Sequence, residues 1–432
     1  MVWTIFWINV LTIAVAFKKR MILYALLNAV FLYLVAGQAF QIQAELERAH
    51  TITYLFNFMS DVGFDLALRY VLGISSISLL LALISQGYRR RAILEPRYSF
   101  APGTSFYAFL FIFLVCISAV CIFAVVGLDE FLHSSRPGYQ PGATIFICLF
   151  FLGIIPLLLK ILLRSEIVRG DLACFLFAFA VTGAFSRINL ILYLTAMLLA
   201  YFYEYGWAER PITFKLLAKI LVFGGVAGVT FFGIGALHDA QNFVQGSLGD
   251  LVSYILANPE KSVLSLQYTY RLGVEGMSGI TGVFTQFLSN PNSVHFDYGA
   301  SSVLSGIVLS MPGFLKTYAG ALVDMSSSLN WYPFSIIPTA AETFFMSFGW
   351  AAVILYPAAV YLLSWHLPMR AMAVRVSPRI KLISNILFAC SIFFVRGSIA
   401  AWIAFSATYV VVICASWPFF RPYLRMNHDD KT

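Results

Sequence analysis

The chain has 432 residues, 60% of them hydrophobic and only 11% charged, and its mean hydropathy is +0.83. A soluble domain carries about twice that share of charge, so water is excluded as the solvent for these apolar runs and a bilayer takes its place. The formal charge of +8 does not point to nucleic acid, because the basic residues are sorted along the chain in a way that membrane topology explains.

A helix needs about 20 apolar residues to cross about 30 Å of hydrocarbon. Eleven runs are expected to do so: 2–17, 21–43, 65–86, 105–127, 144–163, 172–186, 188–203, 217–237, 340–363, 382–396 and 398–417. The first lacks a basic leading segment and a small-residue cleavage site, and so reads as a retained span. The expected fold is an all-α polytopic membrane protein. Its parts are a bundle of eight spans (1–237), a large outer loop with short helices (238–339), and three final spans with a tail (340–432).

Charge sets the orientation. Every second break is basic: Lys18, Lys19 and Arg20; Arg89, Arg90, Arg91 and Arg97; Lys160, Arg164 and Arg169; Arg210, Lys215 and Lys219; Arg370, Arg375, Arg379 and Lys381; and Arg421, Arg425 and Lys431. These breaks hold 20 basic and 7 acidic residues, whereas the breaks between them hold 8 and 13. The positive-inside rule makes the first set cytoplasmic. An odd number of spans then leaves the N-terminus outside and the C-terminus cytoplasmic. Two pairs of runs are split only by Ser186-Arg187 and Arg396-Gly397. Each pair is expected to fold as a hairpin, because merging one pair would put later basic breaks outside.

The outer loop is too long for a plain connector and too aromatic for disorder. Helical stretches are expected at Leu248–Ala257, Ser262–Tyr270 and Ala300–Met311. Gly273, Gly276, Gly279 and Gly282 are expected to break regular structure between them. The six cysteines all lie in apolar runs without metal-ligand spacing, and read as small hydrophobes.

The few charges of the outer face are its informative residues. Arg187 and Arg396 stand at the turns of the two short hairpins, and Arg271 opens the glycine-rich part of the loop. Guanidinium forks match phosphate oxygens, so three such arginines would suit a lipid-linked diphosphate. The plainer alternative is that each snorkels to the interface or pairs with an acid. Glu342, at the outer start of the ninth span, is a general-base candidate or the salt-bridge partner of Arg396 or Arg187. His295 is a second base candidate, or a surface residue. The sequence has no P-loop, no HExxH and no Asp-x-Asp pair, so no nucleotide, metal or other cofactor is expected. Few charges are expected inside spans, which weakens a proton-coupled transporter.

This arrangement resembles the Wzy-type polysaccharide polymerases, which belong with the O-antigen polymerases and ligases. The resemblance rests on a large outer loop before the last spans and on local patterns: Thr182-Gly183-Ala184-Phe185-Ser186-Arg187; Phe296-Asp297-Tyr298-Gly299-Ala300-Ser301-Ser302 followed by Met311-Pro312; Glu342 ahead of Phe348-Gly349; and the spacing of Arg271 to Gly282. It covers about residues 170–400. It implies a glycosyltransferase of the bacterial inner membrane that joins undecaprenyl-diphosphate-linked oligosaccharide repeats at the periplasmic face. The arginines would neutralise the departing diphosphate. Glu342 or His295 would take the acceptor proton, and the loop, through Tyr268, Tyr270, Tyr298 and Trp331, would hold the saccharide. Implied partners are the lipid-linked oligosaccharide, the bilayer, a chain-length regulator and a flippase. The rival expectations are an O-antigen ligase, for which a loop histidine such as His295 would speak, and a flippase or transporter.

Overall fold

Hydrocarbon offers a backbone no hydrogen-bond partner but itself, so long apolar runs close into helices. The structure is a computed structural model that describes residues 1–54, 57–86, 98–128, 143–204, 248–258, 276–290, 300–310, 339–368, 377–396 and 399–426. The early helices are α1 (Val2–Lys18), α2 (Ile22–Ala49), α3 (Asp61–Ile84), α4 (Thr104–Ala119), α5 (Ala143–Leu149), α6 (Ile155–Leu163), α7 (Arg169–Phe185) and α8 (Arg187–Glu204). The later ones are α9 (Leu248–Ala257), α10 (Met277–Ser289), α11 (Ala300–Ser310), α12 (Ala340–Phe348), α13 (Ala352–Tyr361), α14 (Pro378–Ala389), α15 (Ser391–Arg396) and α16 (Ile399–Phe420). Each expected run falls on a helix except 217–237, which lies outside the described residues.

Among the described residues, six helices are long and apolar enough to cross a membrane, or seven if the pair Phe146–Gly153 and Ile155–Leu163, bent by 44°, is one span. Their outer surfaces suit lipid. On α4 and its π-helical continuation, Phe109, Ile112 and Phe123 are 58%, 62% and 66% exposed, which water would penalise heavily. The chain is therefore an all-α polytopic membrane protein. Among the described residues, two small antiparallel ribbons depart from helix. One pairs β1 (Thr51–Tyr54) with β2 (Asn57–Ser60), and the other pairs β3 (Tyr98–Phe100) with β4 (Leu424–Met426).

The chain divides into two compact units. The first comprises Met1–Ala92, Arg271–Val376 and Ile383–Val410. Its spans are pinned by buried polar contacts, the usual glue between helices in lipid. Asn9 Nδ2 donates to Ser75 Oγ at 2.8 Å, the Tyr24 hydroxyl to Ser78 O at 2.8 Å, and the Tyr70 hydroxyl to Ala341 O at 2.6 Å. At one end of α1, Lys19 Nζ donates to Leu83 O and, at 2.8 Å, to Ser85 O.

In the same unit Phe393 of α15 stacks on Phe405 of α16 with ring centroids 4.2 Å apart. Twelve residues along one helix would separate them by about 18 Å, so α15 and α16 fold back on each other as the expected hairpin.

The second unit comprises Ile93–Tyr270, Ser377–Leu382 and Val411–Thr432. Here α7 ends at Ser186, whose extended backbone (φ −154°, ψ 103°) breaks the helix before α8 begins. Ser186 N donates to Thr182 O at 2.7 Å, Asn189 Nδ2 donates to Ser186 Oγ at 2.8 Å, and Gly183 lies against Leu190. This, too, is a hairpin.

Contacts between polar breaks, in each unit, join breaks expected on the same side. The β3–β4 ribbon joins the break after α3 to the tail. Lys381 Nζ reaches Glu204 Oε1 at 2.5 Å and Leu162 O at 2.8 Å, and Arg164 Nε lies 3.7 Å from Glu204 Oε2.

Within the expected outer loop, α9 and α11 match the stretches read at Leu248–Ala257 and Ala300–Met311, while Ser262–Tyr270 lies outside the described residues. Gly279 and Gly282 were expected to break regular structure and instead sit inside α10. Packing overrides their poor helix propensity. Every residue from Met277 to Thr285 is buried, so α10 is enclosed on all faces, and small residues let its neighbours close in.

Candidate active site around Glu342

Glu342 stands in the first turn of α12. Thr339, with extended backbone (φ −67°, ψ 154°), is the N-cap. Its Oγ1 accepts from Glu342 N at 3.4 Å, and Glu342 Oε2 accepts from Thr339 N at 3.2 Å. This reciprocal capping box satisfies two backbone donors that a helix start otherwise leaves open. Thr339-Ala340-Ala341-Glu342 spells the box before an apolar run, and that signal was legible in the sequence.

The carboxylate is buried, with 1% of the residue exposed. It faces Gly279 of α10: a Cβ built there would lie 2.5 Å from Oε2, 3.0 Å from Cδ and 3.1 Å from Oε1. Helix α10 is thus laid flat against the acid, and only a glycine leaves room for it. α10 is held in place by its own contacts. Gly276, with φ +91°, begins it in a conformation suited to glycine, and a Cβ there would lie 2.2 Å from Leu34 O. Ser278 N donates to Gln38 Oε1 at 3.4 Å, and Ser60 N donates to Thr285 Oγ1 at 3.1 Å. Beside the acid, Tyr70, Phe284, Phe345 and Trp350 form one aromatic cluster, Phe284 and Phe345 lying 4.2 Å apart. The Tyr70 hydroxyl, bound to Ala341 O, fixes the turn that carries Glu342. The arrangement presents a buried carboxylate in the first turn of α12, covered by α10 and neighboured by a cluster of aromatic rings. Such a group can orient or accept a proton from a hydroxyl brought to it.

The other expected site residues are less fully placed. Arg187 is the first residue of α8 and Arg396 the last of α15, each at the turn of its hairpin. Only their backbones are among what the structure describes. Arg187 belongs to the second unit, and Arg396 and Glu342 to the first. Arg271, His295, Tyr268, Tyr270, Tyr298 and Trp331 lie outside the described residues. Among the described residues no three His, Cys, Asp or Glu side chains are grouped as metal ligands, and the six cysteines are free thiols.

A second polar cluster was missed by the sequence reading. Lys160, expected in a cytoplasmic break, and Asp171 are 3% and 0% exposed in the second unit. Lys160 Nζ lies 3.0 Å from Asp171 Oδ2, which also accepts from Val168 N at 2.7 Å. The Tyr107 hydroxyl donates to Asp171 Oδ1 at 2.5 Å, and Lys160 Nζ lies 5.8 Å from the centre of the Tyr107 ring. The carboxylate is saturated by three donors, as a buried charge requires. No protein-family model, curated protein or solved structure matches the chain.

Proposed function

We propose that the protein polymerises undecaprenyl-diphosphate-linked oligosaccharide repeats at the periplasmic face of the bacterial inner membrane, with eleven spans and the segment 238–339 as its periplasmic loop. The observation that carries this reading is the buried Glu342 carboxylate laid against Gly279 of loop helix α10. In the proposed reaction the acceptor sugar's hydroxyl gives its proton to Glu342 as its oxygen attacks the anomeric carbon of the donor chain. The bond from that carbon to the diphosphate oxygen breaks, and the lipid diphosphate leaves as an anion neutralised by Arg187, Arg271 and Arg396. The diphosphate bond supplies the driving force, so no nucleotide is consumed. His295 is the alternative base, and Tyr268, Tyr270, Tyr298 and Trp331 are the proposed saccharide contacts.

Glu342→Gln tests this directly. Glutamine can replace glutamate in a capping box, so the fold should persist while elongation falls by about 100-fold or more, the usual contribution of a general base. Cells with this variant, or lacking the gene, should carry a single repeat on the lipopolysaccharide core. A core bare of any repeat would instead indicate a ligase or a flippase. Wild-type ladders from Glu342→Gln together with loss of activity in His295→Ala would move the base to His295.

The buried Lys160–Asp171 pair is the one observation that favours a transporter, because buried charges in membrane helices often line proton paths. Its three donors are all supplied by the protein itself, which suits a fixed clamp. Elongation by the purified protein, with no gradient across its membrane, separates the two readings.

A further inference from the structure

Helix α16 carries two polar groups that its surroundings do not satisfy. The Trp402 indole nitrogen and the Ser406 hydroxyl are both buried and have no hydrogen-bond partner among the described residues. They are one turn apart, so they share a face of the helix. A serine inside a membrane helix ordinarily bonds back to the carbonyl four residues earlier. Thr408 and Ser416 of this same helix do so, to Ala404 O and Val412 O at 2.8 and 2.7 Å. Ser406 does not, although the residue is only 7% exposed. Native proteins seldom leave two such donors together without a use for them.

The ring contacts of Trp402 lead to α12, the helix that carries Glu342. The Trp402 ring meets Phe394 edge-on at 6.0 Å, and Phe394 lies 5.7 Å from Phe344, two residues beyond Glu342. Tyr356 lies parallel to Phe394 at 6.2 Å. Loop helix α11 crosses α16 at the same level: a Cβ on Gly306 would sit 2.8 Å from Ile403 Cβ and 3.1 Å from Ala400 Cα.

We propose that Trp402 and Ser406 form a saccharide subsite of the Glu342 site, a proposal that rests on the polymerase reading. The indole N–H only donates, and the serine hydroxyl both donates and accepts. Neither is charged, so the pair suits neutral oxygens. Rings flank it, and rings suit the apolar face of a sugar. A pyranose ring combines hydroxyl oxygens with such a face, whereas a diphosphate would call for cations.

The test uses the full-length protein in detergent, with Trp402→Phe and Ser406→Ala made singly and together. Removing an unsatisfied donor should leave the melting temperature of the substrate-free protein unchanged or higher. The KM for the lipid-linked repeat should rise about tenfold per variant, the worth of one neutral hydrogen bond, with kcat changed less than about twofold. Binding of undecaprenyl diphosphate without sugar should be unaffected. A lowered melting temperature in the substrate-free variants would mean that the donors already have a partner in the fold, and would overturn the proposal. So would an unchanged KM, or a matching loss of bare undecaprenyl diphosphate binding. If the wild-type protein elongates nothing, the polymerase reading fails by itself. The subsite is then judged by calorimetry with oligosaccharides released by mild acid from the source cells' lipid-linked pool. Binding to wild type that Ser406→Ala weakens about tenfold upholds it, and no binding to wild type ends it.

Discussion

Replacing Gly279 by alanine puts a methyl carbon 2.5 Å from Glu342 Oε2, 3.0 Å from Cδ and 3.1 Å from Oε1. The closest of these falls about 0.9 Å short of an ordinary contact of 3.4 Å. Rotating the carboxylate cannot relieve the clash, because the methyl faces all three atoms. Helix α10 has little freedom to retreat, since Met277 to Thr285 are all buried. The carboxylate must therefore move by about an ångström, and its 3.2 Å bond from Thr339 N is lost. Losing such a cap costs about 1 kcal/mol, while alanine for glycine within a helix returns about 1 kcal/mol. Stability should stay nearly level while the reactive group is displaced. A misplacement of that size costs about 100-fold in rate. The assay is elongation of lipid-linked repeats by purified protein in liposomes, with a thermal melt of the same sample. A Gly279→Ala protein that melts normally and elongates at the wild-type rate would refute the claim that the carboxylate held at Gly279 does the chemistry.

Replacing Arg187, Arg271 or Arg396 by lysine keeps the charge but loses the planar fork, so each variant should yield shorter chains on a polysaccharide gel at normal protein levels; normal chain lengths in all three would remove the arginines from the diphosphate. Asp171→Asn should destabilise the protein by about 3–5 kcal/mol, because it strands Lys160 in the interior, and Lys160→Met combined with Asp171→Leu should recover much of that loss in a denaturation series. A reporter active only outside the cytoplasm should work when fused after Asn258 or Asn292 and fail after Arg91 or Arg375; activity at Arg91 would reverse the orientation. Elongation should proceed without ATP and in the presence of a chelator, since arginines are proposed to carry the leaving-group charge; dependence on an added divalent cation would replace that part of the mechanism.

The long apolar helices were legible because apolar length is a local property of the sequence. α9 could be read to the residue, because Asn258-Pro259 stops an apolar stretch that already has helical spacing. α10 could not. Its glycines signal a break when read alone, and become helix only where Glu342, Leu34 and Gln38 press on them from elements far away in the chain. The same limit hid Asp171, whose partners Tyr107 and Lys160 are set by helix packing and not by spacing. Glu342 stands out in the sequence by its position at the start of an apolar run and by its acidity. The cap is also written there, in Thr339-x-x-Glu342.

The β3–β4 ribbon bears on how the protein is made. Phe100 pairs with Leu424, and Tyr98 with Met426, yet eight of the eleven expected apolar runs are translated between the two strands. While those runs enter the bilayer, β3 presents an open strand edge, the kind of edge that invites wrong partners. Assembly of the second unit must therefore wait for the ribosome to pass residue 426, however early its first helices were inserted. A ribosome stalled near residue 400 would hold an inserted but unfastened protein, and a peptide matching 420–426 would compete for the waiting strand.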